Sequence, residues 1–259
     1  MRKQTAVQHL DIFAQPLHAR TLYLSSNIVS CLDDLPHTYH SIQHLCLSSC
    51  GINALPNDFG LKFPNVRTLN LNFNNIKDIR PLLNIGNLES LYLSGNRIAR
   101  LRKCIATLAK LTTLKTVDCR DNPFTQGFYA PISINAKETQ LVASDTDTVA
   151  DFDVETELRI VQETEQAACL LPQADATADT GHMSRLDEDT KLRRRVYELL
   201  LANSCRKLVK LDGLEFQRDR AMVKDLVWDR LIKLGVVRKS GREEGGQQWV
   251  DLDAAAATV

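Results

Sequence analysis

The chain has no long apolar run and no excess of charge of either sign. No stretch approaches the roughly 18 consecutive apolar residues that a membrane span requires. Residues 1–10 also lack the apolar centre of a secretory signal. The formal net charge is zero, so the molecule has no global attraction to nucleic acid or acidic lipid. These absences predict a soluble intracellular protein that contacts neither nucleic acid nor a membrane directly.

Five segments of the chain share the pattern LxxLxLxxNxI and form an internal repeat: residues 19–29, 42–52, 66–76, 88–98 and 114–124. The first apolar residue of each LxL core follows the previous one by 23, 24, 22 and 26 residues. Leucine-rich repeats are typically about 20–29 residues long. The period predicts an α/β leucine-rich-repeat solenoid with short parallel β-strands on the concave face. Short helices or 3-10 turns are expected on the convex face, with a helical cap at the C-terminal end.

An inward polar column follows the predicted strands. Alternation within LxL places two side chains in the core and the middle one outside. A side-chain amide that points inward after the strand can bond the backbone of its own turn and of the adjacent coil, where one coil is one repeat. The residues of this predicted structural ladder are Asn27, Cys50, Asn74, Asn96 and Asn122.

The outward strand positions are predicted to line one concave protein-binding face. Two tyrosines and an Asp–Arg pair suit protein recognition, in which Tyr and Arg are frequent energetic centres. Solvated strand positions without a partner are the alternative interpretation. The predicted contact residues are Tyr23, His44, Cys46, Thr68, Asn70, Asn72, Ser90, Tyr92, Asp118 and Arg120.

Cysteine and histidine follow no pattern that predicts a metal site or a disulfide framework. The seven cysteines are odd in number and scattered, so we expect free, mostly buried thiols. His44 and Cys46 are predicted to face outward while Cys50 faces the core, and no second pair of ligands follows. No glycine-rich phosphate loop is present, and no Ser or Cys has a positioned base. The sequence therefore predicts no metal, no cofactor and no enzymatic activity.

An acidic stretch interrupts the periodicity after the fifth repeat. Residues 138–190 contain 14 acidic and two basic residues, with little apolar content. Such a composition does not readily offset its ordering entropy, so we expect a largely flexible insertion. A segment for docking or phosphorylation is the alternative.

Helical periodicity returns in residues 192–200, preceded by three acidic residues that complement a helix N-terminus. The arginine triplet 193–195 is interpreted as the polar face of this helix, with a nuclear-localisation signal as the alternative. Residues 208–216 supply a final strand-like edge, and residues 219–234 a second helix. The predicted apolar faces of the two helices are Leu192, Val196, Leu199 and Leu200, then Val223, Leu226, Val227, Leu231 and Leu234.

The sequence thus divides into five predicted parts. They are an N-terminal lead-in with a partial repeat (1–18), leucine-rich repeats (19–136), the acidic insertion (137–184), the helical cap (185–239) and a tail (240–259). The partial repeat is interpreted either as an edge strand or, slightly preferred, as the remnant of a longer parent repeat.

Three strings resemble the C-terminal repeat domain of the fungal spindle-pole-body scaffold family of the septation-initiation and mitotic-exit networks. They are RDNPFTQGFYAPI (120–132), RLDEDTKLRRRVYELLLANSC (185–205) and LVKLDGLEF (208–216). The order of repeats, NPF, helix and LxxLDG also resembles the caps of a phosphatase-1 regulatory subunit and of a spliceosomal-particle subunit. Both of these classes stay open as alternatives.

The resemblance implies a non-catalytic platform for a small GTPase, its regulators, kinases or other spindle-pole components. It implies a location in the cytoplasm, at the cytoskeleton and the spindle pole body, with the nucleus left open. The family carries a long N-terminal region that has no counterpart in this chain. A piece of a longer protein and a short relative therefore both remain open interpretations.

Overall fold

Seven short strands form one sheet in a computed structural model, which describes residues 19–24, 32, 35–130 and 174–235. The strands lie side by side in chain order; β1 to β6 are parallel and β7 returns antiparallel to β6. They are β1 (Thr21–Tyr23), β2 (His44–Cys46), β3 (Thr68–Asn70), β4 (Ser90–Tyr92), β5 (Thr116–Asp118), β6 (Lys210–Leu211) and β7 (Leu214–Glu215). The predicted leucine-rich-repeat solenoid is confirmed.

Helices and 3-10 turns connect the strands and form the cap. Between strands lie α1 (Phe59–Lys62), a 3-10 helix (Arg80–Asn84), α2 (Leu101–Leu108) and a 3-10 helix (Pro123–Thr125). The cap contains α3 (Ala176–Arg185), α4 (Glu188–Ser204), α5 (Arg218–Ala221) and α6 (Leu226–Lys233). Among the described residues no helix is both long and apolar enough to cross a membrane. The partial repeat, Asn27, most of the acidic insertion and the tail lie outside the described residues.

The core runs as one continuous stack through the solenoid. Adjacent strands are in register, with Leu45 beside Leu69 and Leu69 beside Leu91, so their core leucines stack and are buried. Near the N-terminal coils the aromatic rings of Tyr39 and Phe63 stack with centroids 5.1 Å apart, and Phe59 packs beside them. These three rings fill the space between strand and helix that shorter apolar residues fill in the other coils.

A tight turn follows each strand and reverses the chain toward the next helix. Phe73, Gly95 and Asp121 occupy equivalent places in three successive turns and have φ values of 55°, 67° and 53°. At Gly95 a Cβ atom would lie 2.5 Å from the Phe73 ring. Phe73 and Asp121 show that other residues adopt this left-handed conformation, so the property that only glycine supplies at position 95 is room for the neighbouring aromatic ring.

Helix α4 closes the solenoid and is buried on two sides. Tyr197 and Leu201 complete the repeat core, and the Tyr197 ring packs on Phe124 with centroids 5.8 Å apart. On its other side Leu199 contacts Trp228 and Leu231 of α6. The predicted single apolar face is therefore wrong in part: Leu192, on that face, is 47% exposed. A helix held between two neighbours needs apolar residues on opposite sides, which one periodic stripe does not describe.

The predicted second helix is two helices. Residues 222–225 separate α5 from α6, because Asp225 caps α6 by accepting a hydrogen bond from the Trp228 amide at 2.9 Å. Two residues of the predicted apolar face, Val223 and Leu226, are exposed instead, since the break changes the direction of the chain. In addition, the final residues of the predicted acidic insertion form α3, in which no residue is buried.

Candidate protein-binding surface

The accessible part of the concave face lies on two columns of outward side chains. One column is the position before the first leucine of each LxL core, and the other is the middle position of that core. The parallel register places Tyr23 beside Cys46, and Asn70 beside Tyr92, on one continuous sheet surface. Of the predicted contact residues, His44 is exposed. Four others are half-buried: Tyr23, Thr68, Ser90 and Tyr92.

The remaining predicted contact residues are buried: Cys46, Asn70, Asn72, Asp118 and Arg120. The Asn72 amide oxygen accepts a hydrogen bond from the backbone N–H of Ser94 at 2.8 Å, and the Ser94 hydroxyl donates to Asp118 at 2.6 Å. The backbone N–H of Asn72 donates in turn to the amide oxygen of Asn70 at 3.0 Å. These side chains bind successive coils to one another. Their role in contacting a partner stays a prediction.

Asp118 and Arg120 form a buried ion pair within one coil. The Arg120 Nη2 atom lies 2.6 Å from Asp118 Oδ2, and Nε donates to Oδ1 at 3.0 Å. Burial lowers the pKa of Arg120, but the hydrogen bond and the charge of Asp118 outweigh it and raise that pKa. The pKa of Tyr92 is raised by burial and by the negative charge of Asp118. The two charges thus neutralise each other, and the buried pair stabilises the coil in which it lies.

The ladder residues that the structure describes repeat one hydrogen-bond pattern. The Asn96 amide donates to the carbonyls of Leu71 and Leu93, both at 2.9 Å, and accepts from the Ile76 N–H at 3.1 Å. Asn74 and Asn122 make the equivalent bonds in their own coils. At Cys50 a thiol replaces the amide donor.

That thiol donates to the carbonyl of Leu24 at 2.8 Å. Four cysteines of the described residues are free and buried: Cys50, Cys104, Cys119 and Cys205. Cys46 is disulfide-bonded, so the expectation of free thiols is wrong at that position. Within the described ranges no three His, Cys, Asp or Glu side chains are arranged to hold a metal.

Asp212 is a buried titratable residue that the sequence analysis did not select. Its carboxylate is fully buried and accepts hydrogen bonds from the Cys119 N–H at 2.7 Å and from the Tyr197 hydroxyl at 2.9 Å. Burial, followed by the charge of Asp118, raises the pKa of Asp212 to about 7. The LDG string was the only signal, because Asp212 and Cys119 are 93 residues apart in sequence.

The arginine triplet is structural in each of its three positions. Arg194 is buried and bonds Asp179 of α3 at 2.7 Å, Glu198 at 2.9 Å and the carbonyl of Phe128 at 2.8 Å. Arg195 donates to the carbonyl of Ala221, the last residue of α5, and to that of Val223 beyond it, and Arg193 pairs with Asp189 at 3.1 Å. Arg194 also lines a cleft of about 550 Å³ between α3, α4 and the β6–β7 hairpin.

The comparisons with known proteins agree with the repeat pattern. Two family models match, one described as Leucine rich repeat over residues 40–98 and one as Leucine Rich Repeat over residues 87–111. The septation initiation network scaffold protein cdc11 of Schizosaccharomyces pombe is 35% identical over 116 residues. That match covers 45% of this chain and 11% of the relative. The predicted resemblance to a septation-initiation scaffold is confirmed.

Two solved structures are also similar. Internalin C2 of Listeria monocytogenes has 30% identity and a TM-score of 0.34, covering 39% of this chain and 42% of its own. A chain of the Drosophila melanogaster SNF/U2A' complex has 17% identity and a TM-score of 0.47, covering 90% of this chain and 99% of its own. At these TM-scores neither structure adds to the function of this chain.

Proposed function

We propose that this chain, a leucine-rich-repeat protein similar to a septation initiation network scaffold, is a non-catalytic scaffold that binds proteins of such a network. The observation that carries the proposal is the 35% identity to that scaffold over 116 residues. The matched part is 11% of the relative's length, so the partners are inferred by class. They are a small GTPase, its regulators, kinases or other components of the spindle pole body.

The concave face supports this proposal by its rigidity and its half-buried aromatic groups. The strands are fixed by the parallel backbone bonds and by the buried polar rows beneath them. A preformed surface loses little conformational entropy when a partner binds. The half-buried rings of Tyr23 and Tyr92 offer apolar area and a hydroxyl each, which suits the centre of a protein interface.

The proposal also places the protein in the cytoplasm, at the cytoskeleton and the spindle pole body. A fluorescent fusion in fungal cells that is seen at the spindle poles during mitosis agrees with this location. A signal that is uniform throughout mitosis contradicts it.

The test is an affinity pull-down from mitotic fungal lysate, analysed by mass spectrometry. The wild type is compared with the Tyr23→Ala/Tyr92→Ala variant, which truncates the two concave rings. The matched control is Leu61→Ala/Leu192→Ala, which removes two side chains that are 59% and 47% exposed on helices. Asp118 is left intact, because its removal would leave the buried guanidinium of Arg120 unpaired.

We expect the wild type and the control to recover a small GTPase, its regulators or network kinases, and the tyrosine variant to lose them. Equal recovery by all three proteins would keep the scaffold but remove the concave face from the proposal. Recovery of splicing or phosphatase components instead would contradict the network assignment.

A further inference from the structure

The charge of this neutral chain is unevenly distributed along the sequence. Residues 138–190 contain 14 of the 32 acidic residues and two of the 32 basic residues. The rest of the chain therefore has 30 basic and 18 acidic residues, an excess of 12 positive charges. The chain outside this acidic stretch is therefore basic.

Part of this excess is concentrated where two adjacent coils leave their strands. We define the basic surface as five exposed side chains that lie in the coils after β3 and β4. The two coils are in direct contact, because the backbone N–H of Arg97 donates to the carbonyl of Ile76 at 2.9 Å. The residues of the basic surface are Lys77, Arg80, Arg97, Arg100 and Lys103.

Packing forces these cations outward. Ile76 and Ile79 alternate with Lys77 and Arg80 and are buried in the core. In the following coil Ile98 takes the place equivalent to Ile76 and is buried, and Leu101 takes the place equivalent to Ile79 and packs against the core. The cations consequently lie on the solvent-exposed side of these coils, and the positive surface is fixed by the repeat itself.

One acidic side chain, Asp78, compensates part of the basic surface. Asp78 pairs with Arg80 at 2.6 Å. The hydrogen bond from Arg80 is the main cause of the lowered pKa of Asp78, and the charge of Lys103 contributes. Glu89, another acid of these repeats, is bound to Arg67 and Lys115. Among the described residues no ion pair is formed by Lys77, Arg97, Arg100 or Lys103.

We propose that the basic surface binds an acidic segment of a partner protein, independently of the concave face. Guanidinium groups bind carboxylates through two parallel hydrogen bonds, and arginines on adjacent turns match a succession of Asp or Glu side chains. Asp78 lies among the cations and repels a uniform polyanion, such as nucleic acid or an acidic bilayer. A peptide of mixed sequence can place a neutral or basic residue beside Asp78. The scaffold then holds two partners at once on two surfaces.

The test measures the fluorescence anisotropy of a labelled ten-residue peptide in which glutamate alternates with serine (the glutamate peptide), with the same peptide carrying glutamine in place of glutamate (the glutamine peptide) as the neutral probe. The variant is Arg97→Glu/Arg100→Glu/Lys103→Glu. The matched control is Arg206→Glu/Lys207→Glu/Lys210→Glu, which makes the same change in net charge at three exposed positions of the cap. Circular dichroism melts of all proteins show whether each remains folded, and the substituted side chains are all exposed.

We expect the wild type to bind the glutamate peptide in a salt-dependent way and the glutamine peptide not at all. The surface variant should bind about tenfold more weakly or worse, and the cap control should stay within about threefold of the wild type. Equal weakening in both triple variants would overturn the proposal, because net charge alone would then explain the binding.

Two further probes separate the classes of partner. Tighter binding of a ten-nucleotide thymidine oligomer, or of phosphatidylserine-containing vesicles, than of the glutamate peptide would also overturn the proposal. The Tyr23→Ala/Tyr92→Ala variant should bind the glutamate peptide as the wild type does. Its loss of network proteins in the pull-down, with peptide binding retained, distinguishes the concave face from the basic surface.

Discussion

Replacing Asn96 with alanine removes the hydrogen bonds that join two coils in the middle of the solenoid. The Asn96 side chain is 5% exposed and makes its three shorter hydrogen bonds to the carbonyls of Leu71 and Leu93 and the N–H of Ile76, with a longer one of 3.4 Å to the carbonyl of Ser94. Alanine is smaller than asparagine and fits the space. Its helix propensity does not contribute, because residue 96 lies in a turn. The change therefore measures the lost polar contacts with little added strain.

The three backbone groups lose unequal amounts of stabilisation. The N–H of Ile76 donates its hydrogen bond to Asn96, so its isolation costs about 1–3 kcal/mol. The Leu71 carbonyl also accepts from Asn74, and the Leu93 carbonyl from Asn122. Each carbonyl keeps one bond and loses about 0.5–1 kcal/mol. The total is about 2–5 kcal/mol.

The measurement is guanidinium chloride unfolding followed by far-ultraviolet circular dichroism. Coils stabilise their neighbours in a solenoid, so the loss should appear as a lower midpoint of the whole transition, by about 1 M. Asn65→Ala is the matched control, because that amide donates one exposed bond to the carbonyl of His40 at 2.9 Å. The control should change the free energy of unfolding by about 1 kcal/mol or less.

A third variant tests the chemistry of the ladder position. Asn96→Cys restores a donor of the kind that Cys50 supplies toward Leu24, but a thiol accepts weakly from the Ile76 N–H. It should lie between the wild type and Asn96→Ala. If Asn96→Ala were no more destabilising than Asn65→Ala, the assignment of the ladder as the bond between coils would be refuted.

Three further outcomes are expected. Because the folded protein holds a proton on Asp212 up to a pKa of about 7, stability should fall as pH rises from about 4 to 7. Asp212→Asn should remove this slope from the unfolding free energy measured against pH. Arg194→Ala should destabilise by about 3 kcal/mol in thermal unfolding, since it leaves buried acceptors unpaired, whereas Arg193→Ala should cost about 1 kcal/mol or less. Gly95→Ala should cost more than Gly51→Ala, as both have positive φ but Gly95 also faces an aromatic ring.

Each of these outcomes has a result that contradicts it. A pH slope that persists in Asp212→Asn would assign the proton to another group. Equal losses in Arg194→Ala and Arg193→Ala would mean that the network around Arg194 adds nothing to stability. If the two glycine variants lost the same stability, backbone strain alone would account for both, and the contact with the Phe73 ring would carry no cost.

Local patterns were enough to predict the repeated part of the molecule. The LxL alternation sets which side chains enter the core, and the period sets how the coils stack, so each rule acts within about 25 residues. The inward amides of Asn74 and Asn96 follow from the same alternation. The outward side chains were harder to predict, because the burial of Asn72 and Asp118 depends on bonds to the next coil.

The cap required the tertiary structure for a related reason. Helix α4 packs against the last coil on one side and α6 on the other, so its buried residues do not follow one stripe. Arg194 is indistinguishable from its neighbours in the triplet by sequence, yet it alone is held between Asp179 and Glu198.

By itself, the sequence determined the solenoid, the strand register and the inward ladder, because each depends on a periodic contact between residues close in the chain. Only the tertiary structure decided which polar residues stay accessible. The burial of Asp212 against Cys119 arises where two segments 93 residues apart in sequence meet. Such tertiary contacts depend on the complete packing of the chain, which no local pattern encodes.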